Sequence, residues 1–186
     1  SSTTTSGFSV AGSTLPASVR STVRRKPSAA ASSDVVAAVI ESESDFRPRL
    51  VSNKNALGLM QIVPATGRRL ARSLGIRRFT TAMLTDSELN IRMGTLYFSR
   101  LTEQFGGAHY ALASYNAGEN RVVRWKAERP GLDEDEFIDD IPFPETQNYV
   151  KKILGTAEDY RRLYGERGAV PVANARAVRP RPAVAL

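Results

Sequence analysis

The sequence predicts an all-α domain flanked by two polar tails, and three observations carry that prediction. Between about residues 33 and 167, apolar residues recur at spacings of three and four, segment after segment, while no stretch sustains strand-like alternation. Glycine and proline punctuate these segments where helices are expected to start and stop. Composition changes at both ends. Residues 1–31 are rich in Ser and Thr and residues 168–186 in Ala, Pro and Arg, which reads as linkers or disordered tails around one domain spanning 32–167.

Within that domain, Ser32 or Ser33 can cap a first helix, with Asp34 in its first turn and Val35, Val36, Val39 and Ile40 on one face. It should end near Phe46, because Pro48 disfavours helical geometry at Arg47. A loop runs to Gly58, followed by the apolar stretch from Leu59 to Val63. Pro64 then suits the first position of a helix reaching Leu74. Thr85 and Glu88 have capping-box spacing at the head of a longer helix to about Gln104. Two short helices, 108–116 and 120–127, precede a stretch from Asp133 to Asp140 that reads as an acidic loop. A last helix opens at Pro144 with Tyr149, Val150, Ile153, Leu154, Ala157, Tyr160 and Leu163 on its packing side. At most a short hairpin is expected besides.

Composition narrows the chemistry. Among 186 residues there is no cysteine and a single histidine, His109, so thiol nucleophiles, Cys-based zinc sites and multi-histidine metal centres are excluded. Neither a metal nor a cofactor is called for, and acid–base chemistry falls to carboxylates, tyrosine or lysine. The net charge of +7 invites a nucleic-acid reading. Its distribution weakens that reading: Arg20, Arg24, Arg25, Lys26, Arg176, Arg179 and Arg181 account for the whole excess, leaving the central domain neutral. The basic tails could instead hold the protein loosely against an anionic cell envelope. No apolar run approaches the length of a membrane span, and no basic-then-apolar leader is visible.

The first helix closes on Glu41, Glu43 and Asp45, three acids in five residues at the negative end of a helix dipole. Glu43 follows Val39 by four and Ile40 by three, which sets it on or beside the buried face. Both circumstances raise a carboxyl pKa, as a general acid near neutral pH requires. A buried structural acid fits the same spacing.

Glu43-Ser44 with Phe46 and Pro48, Gly58-Leu59-Met60-Gln61-Ile62 with Pro64 and Thr66, and Asn90-Ile91 with Gly94 begin a longer pattern. Ala113-Ser114-Tyr115-Asn116-Ala117-Gly118 with Arg121-Val122, Ile141-Pro142-Phe143, Glu145-Thr146 and Tyr149-Val150 complete it. In this order, over roughly residues 34–165, these blocks resemble the soluble lytic transglycosylases, a family that cleaves peptidoglycan. The resemblance implies a lysozyme-like helical fold. It also implies that Glu43 is the single catalytic acid, protonating the oxygen between N-acetylmuramic acid and N-acetylglucosamine and then, as a base, helping form a 1,6-anhydro product.

It further implies substrate-binding roles for Ser44, Met60, Gln61, Tyr115, Asn116 and Glu145, with Ser44 orienting either the sugar's acetamido group or Glu43 itself. Simpler readings stand beside these: a helix-end hydroxyl for Ser44, core packing for Met60 and Tyr115, a helix cap for Asn116, and a structural acid for Glu145. His109 is expected to pack or face solvent. Three departures are visible, Ser42 for a common Gln, Asn55 for a usual Gly and Glu119 for a frequent Pro; Asn tolerates left-handed geometry well enough to keep the turn at 55. The partners implied are peptidoglycan glycan strands, in the periplasm or cell envelope. Two further readings are a hydrolytic muramidase of the same fold, needing Glu145 or Asp45 as a second acid, and a non-catalytic wall or nucleic-acid binding module.

Overall fold

The computed structural model describes residues 32–165; the two stretches read as tails, and the last two residues assigned to the domain, lie outside these. Seven α-helices order the chain among the described residues: α1 (Ser33–Ser44), α2 (Pro64–Ser73), α3 (Ser87–Phe105), α4 (Ala108–Ala117), α5 (Glu119–Glu128), α6 (Glu134–Asp139) and α7 (Pro144–Tyr160). A 3₁₀ turn, Thr81–Thr85, precedes α3, and a π turn, Arg161–Gly165, follows α7. No strand forms among the described residues. The hairpin expectation reduces to isolated antiparallel bridges, Val51 with Leu57 and Leu57 with Ile62.

Helix α4 is the centre of the packing. Ala111, Leu112, Ala113 and Ser114 are all buried, so the helix lacks the polar face of a surface helix and sits against α3, α5 and α7. Around it the core fills with Phe98, Leu101, Trp125, Phe137 and Ile153, each nearly inaccessible. Helix α1 lays Val35, Ala38, Val39 and Ile40 mainly against α7. Polar ties register the pair: the Tyr160 hydroxyl donates to Glu41 Oε2 at 2.8 Å, and Arg161 pairs with Asp34 at 3.2 Å.

Three boundaries differ from the sequence reading. Helix α1 stops at Ser44, not near Phe46, because Asp45 (φ 48°) and Phe46 (φ 57°) both take left-handed geometry. The cap of α3 is Asp86, whose side chain accepts from the Leu89 amide at 2.8 Å; Thr85 is occupied in the 3₁₀ turn, donating to the Ala82 carbonyl. The acidic stretch from Asp133 to Asp140 is largely helical. A reciprocal capping box between Asp133 and Glu136 closes its first turn, and Phe137 and Ile138 dock it on the core.

His109 is 8% exposed and packs beside Tyr110 and Phe137, with ring centroids 4.0 and 5.8 Å away. Asn55 does hold left-handed geometry, with φ 55°.

Candidate active site

Helices α1, α4 and α7 and the loop 57–62, backed by α3, bring the site together. Glu43 leaves the last turn of α1, and directly after it the chain turns through the two left-handed residues. Such backbone costs energy for non-glycine residues and persists where surrounding contacts impose it. Across from Glu43, Tyr149 of α7 donates its hydroxyl to Glu43 Oε1 at 2.6 Å. Burial pushes the Glu43 carboxyl above its ordinary value, and the Tyr149 hydrogen bond pulls back only part of that shift.

The phenols respond in kind. Burial, and then the nearby Glu43 charge, hold Tyr149 and Tyr115 well above the usual phenol range, so both remain neutral donors. Glu43 thus sits with two neutral phenols, Tyr149 bonded to it and Tyr115 close enough to feel its charge.

The second wall is the loop 57–62, held from beneath by one side chain. Asn90 of α3, fully buried, accepts from the Met60 amide at 2.8 Å and donates to the carbonyls of Leu57 (2.9 Å) and Leu84 (2.7 Å). Gly58 is required here. Its φ is +81°, and an added Cβ would lie 2.7 Å from Asn90 Cγ. With the loop fixed, the Met60 carbonyl accepts the Tyr115 hydroxyl at 2.7 Å, which orients the phenol.

The candidate binding residues separate into two groups. Gln61, Tyr115 and Asn116 line one cavity of about 220 Å³, shared with Thr66, Tyr97 and Ser114. Gln61 is held at φ 45°, and its Nε2 donates to the Leu50 and Gly58 carbonyls. Asn116 is exposed at the end of α4, where its Oδ1 accepts from Thr146 Oγ1 of α7 at 2.7 Å. The Ser114 hydroxyl in this wall is fully buried with no hydrogen-bond partner. Glu43 is not part of the cavity lining; Tyr115 is common to the cavity and to the surroundings of the acid.

Ser44 and Met60 are buried and do not line this cavity. Ser44 is 1% exposed, and its hydroxyl turns to the carbonyls of Ile40 (3.0 Å) and Leu59 (2.9 Å), tying α1 to the loop. Met60 is fully buried with its side chain against Gly94, where an added Cβ would stand 2.8 Å from Met60 Cβ. Both position the acid and the loop; neither side chain reaches the cleft surface. Glu145 is exposed in the first turn of α7, one helical turn before Tyr149. Asp45 is exposed and pairs with Arg47 at 3.3 Å.

Sequence reasoning placed Tyr149 in the blocks that carry the family resemblance and on the packing side of the last helix, and Thr146 and Asn90 in those blocks only. Their roles depend on partners 106, 30 and 30 residues away, which spacing along one helix does not disclose.

A larger pocket of about 580 Å³ adjoins the first, sharing Ala117 and Gly118 and adding Arg69, Glu119, Asn120 and Arg121. Among the described residues, no group of three or more metal-binding side chains occurs.

An all-helical domain whose one carboxyl is raised by burial, beside a polar groove, defines a class of acid-bearing cleft proteins. Residues 24–138 match the Transglycosylase SLT domain family. The soluble lytic murein transglycosylase of Escherichia coli (strain K12) is 36% identical over 133 residues, covering 70% of this chain and 21% of that protein. Its counterpart in Salmonella typhimurium is 36% identical over 136 residues, with 72% and 21% covered. Among solved structures, an inactive glutamate-to-glutamine mutant of the lytic transglycosylase Slt from Pseudomonas aeruginosa is similar, with a TM-score of 0.68. It is 36% identical, and 72% of this chain and 22% of that one are covered. The chain belongs to the Transglycosylase SLT domain family. It spans about a fifth of the length of these curated relatives.

Proposed function

We propose that this domain is a peptidoglycan lytic transglycosylase that cleaves the β-1,4 bond between N-acetylmuramic acid and N-acetylglucosamine, with Glu43 as its single acid and base. The observation that carries the reading is the state of Glu43: a carboxyl raised by burial, hydrogen-bonded to the neutral phenol of Tyr149 and close enough to act on Tyr115, which lines the cavity. The family's relatives are named for this activity, and a glutamate-to-glutamine change is described as inactivating in the Pseudomonas aeruginosa relative.

The reaction balances without water. Protonated Glu43 gives its proton to the glycosidic oxygen as the bond from C1 to that oxygen breaks, releasing the downstream sugar as an alcohol. The oxygen of the substrate's own 2-acetamido group closes on C1, taking the place of the second carboxylate that a retaining glycosidase supplies. Glu43, now a carboxylate, removes the proton of the 6-hydroxyl, whose oxygen attacks C1 and reopens the acetamido ring. The 1,6-anhydro product leaves and Glu43 is protonated again.

A group that is acid in one step and base in the next works best with a pKa near ambient pH. Burial supplies the upward shift, and Tyr149 limits it, because its hydroxyl donates to the charged form. Tyr115, oriented by the Met60 carbonyl, presents a phenol face beside Gln61 and Asn116, where a pyranose and its acetamido group would lie. Glu145, on the same side of α7 as Tyr149, would contact sugar further along the groove.

Neither metal nor cofactor enters this chemistry. The substrate places the protein in the periplasm or cell envelope, with the basic ends contributing loose attachment there. Release of soluble muropeptides from purified peptidoglycan tests the proposal: the wild-type chain should release them and Glu43→Gln should not, with the helical circular dichroism of the two unchanged. Equal release by Glu43→Gln would overturn it.

A further inference from the structure

The larger pocket differs in character from the sugar-sized cavity beside it. Its walls carry two guanidinium groups and one carboxylate among small residues, so its balance is cationic. At about 580 Å³ it is an open depression, roomier than its neighbour of about 220 Å³.

The arginines are held rather than loose. Arg121 Nη1 donates to the Ala117 carbonyl at 2.6 Å, and its guanidinium lies 5.1 Å from the Phe143 ring centroid. Arg69 lies 5.6 Å from the Tyr97 ring centroid and pairs with Glu119 Oε1 at 3.6 Å. Glu119 is itself anchored, accepting the Tyr97 hydroxyl at 3.1 Å on the same oxygen. Burial and the Glu119 charge push that phenol up to about 12, so it stays a donor. A guanidinium has five N–H donors in a planar fork, and these contacts engage only part of each.

We propose that this pocket receives the carboxylates of the peptide arm borne by a muramic acid residue, with Arg69 as the recognising cation and Glu119 as the group that moderates it. The proposal rests on the glycan lying in the adjoining groove as described above. A neutral sugar chain offers the two arginines only single neutral acceptors, whereas a carboxylate pairs with a guanidinium bidentately and about twice as strongly. The peptide arms, attached through the lactyl ether, are the part of this polymer that carries carboxylates, and the two pockets adjoin across Ala117 and Gly118. Glu119 already lies beside Arg69, so an incoming carboxylate shares that cation with a fixed competitor. The two residues therefore act with opposite sign on anion binding, which a merely structural ion pair would not do.

The test is a fluorescence titration of the full chain carrying Glu43→Gln, so that binding is read without turnover. Three probes are used: peptide-bearing glycan strands, strands stripped of peptide but keeping the lactyl carboxylate, and N-acetylglucosamine hexamer. Peptide-bearing strands should bind about tenfold tighter than stripped ones in low salt, the scale of one charge-assisted contact. Adding Arg69→Gln should erase that difference, adding Glu119→Gln should widen it about threefold, and high salt should close it. Melting curves of both variants, unchanged within a few degrees, tie the effect to the pocket.

A tenfold step appearing instead between stripped strands and the hexamer would assign the pocket to the lactyl carboxylate and overturn the peptide assignment. Equal affinity for all probes, or no effect of Arg69→Gln, would overturn the inference while leaving the glycan reading intact. Failure of the parent to bind any strand would overturn the glycan reading, and this inference with it.

Discussion

Replacing Asn90 by Ala removes one side chain and leaves two buried backbone groups without their partner, the Met60 amide and the Leu84 carbonyl, while the Leu57 carbonyl keeps the Ile62 amide at 3.0 Å. Each such group costs about 1–3 kcal/mol when stranded away from water. Partial relaxation of the loop offsets some of this, so the expected loss is about 3 kcal/mol. For a domain of this size that is a fall in melting temperature of roughly 9 °C.

Asn90→Asp refines the test. It keeps the acceptor for Met60 but turns an acceptor toward two carbonyls, so it should be at least as damaging as Ala despite its near-identical shape. The functional consequence follows from Met60, whose carbonyl orients Tyr115. Well below its melting point, Asn90→Ala should lower kcat for peptidoglycan solubilisation more than it raises KM. Thermal unfolding followed by circular dichroism gives the first number. A fall of less than about 3 °C, or Asp tolerated better than Ala, would refute the reasoning.

Glu43→Gln has a stability signature as well as a kinetic one. The folded carboxyl titrates above its unfolded value of 4.5, so the folded state binds more protons and stability falls as pH rises through that window. The Gln variant should therefore melt higher than wild type at neutral pH, with the gap closing below about pH 4.5, while turnover falls about 10³-fold. Tyr149→Phe removes a hydrogen bond to the carboxylate and raises the Glu43 pKa further. In a pH–rate profile, the alkaline fall in activity should move to higher pH, with a lower maximum. Gly94→Ala forces a methyl into Met60 and should cost about 1–3 kcal/mol by denaturant unfolding. Asn55→Gly, at a left-handed position, should leave stability unchanged or slightly raised in the same assay.

Much of this was legible in the residues. The helix pattern follows from apolar spacing and from Pro64 and Pro144 at helix starts, and the position of Glu43 follows from Val39 and Ile40. Local chemistry was less so. Asp86 and Thr85 are adjacent, and either can cap; the choice fell to Asp86 because the 3₁₀ turn already uses Thr85. The segment 133–140 carries so many acids that its capping box and two buried apolar residues were outweighed in the reading.

Tyr149 shows the deeper limit. As an aromatic residue on the packing side of a helix, it reads as core, and only the docking of α7 on α1 turns its hydroxyl to the acid. Ser44 and Met60 show it from the other side: both flank candidate site residues in sequence, and their side chains are buried ties. Neighbours in sequence do not share a face, and a turn through left-handed residues breaks helical register altogether.

The most direct test of the central claim is the mass of the soluble products formed from purified peptidoglycan. A single carboxyl acting in turn as acid and base predicts muropeptides ending in 1,6-anhydro-N-acetylmuramic acid, absent with Glu43→Gln. Products one water heavier, with free reducing ends, would contradict it and point to hydrolysis with a second carboxylate such as Glu145.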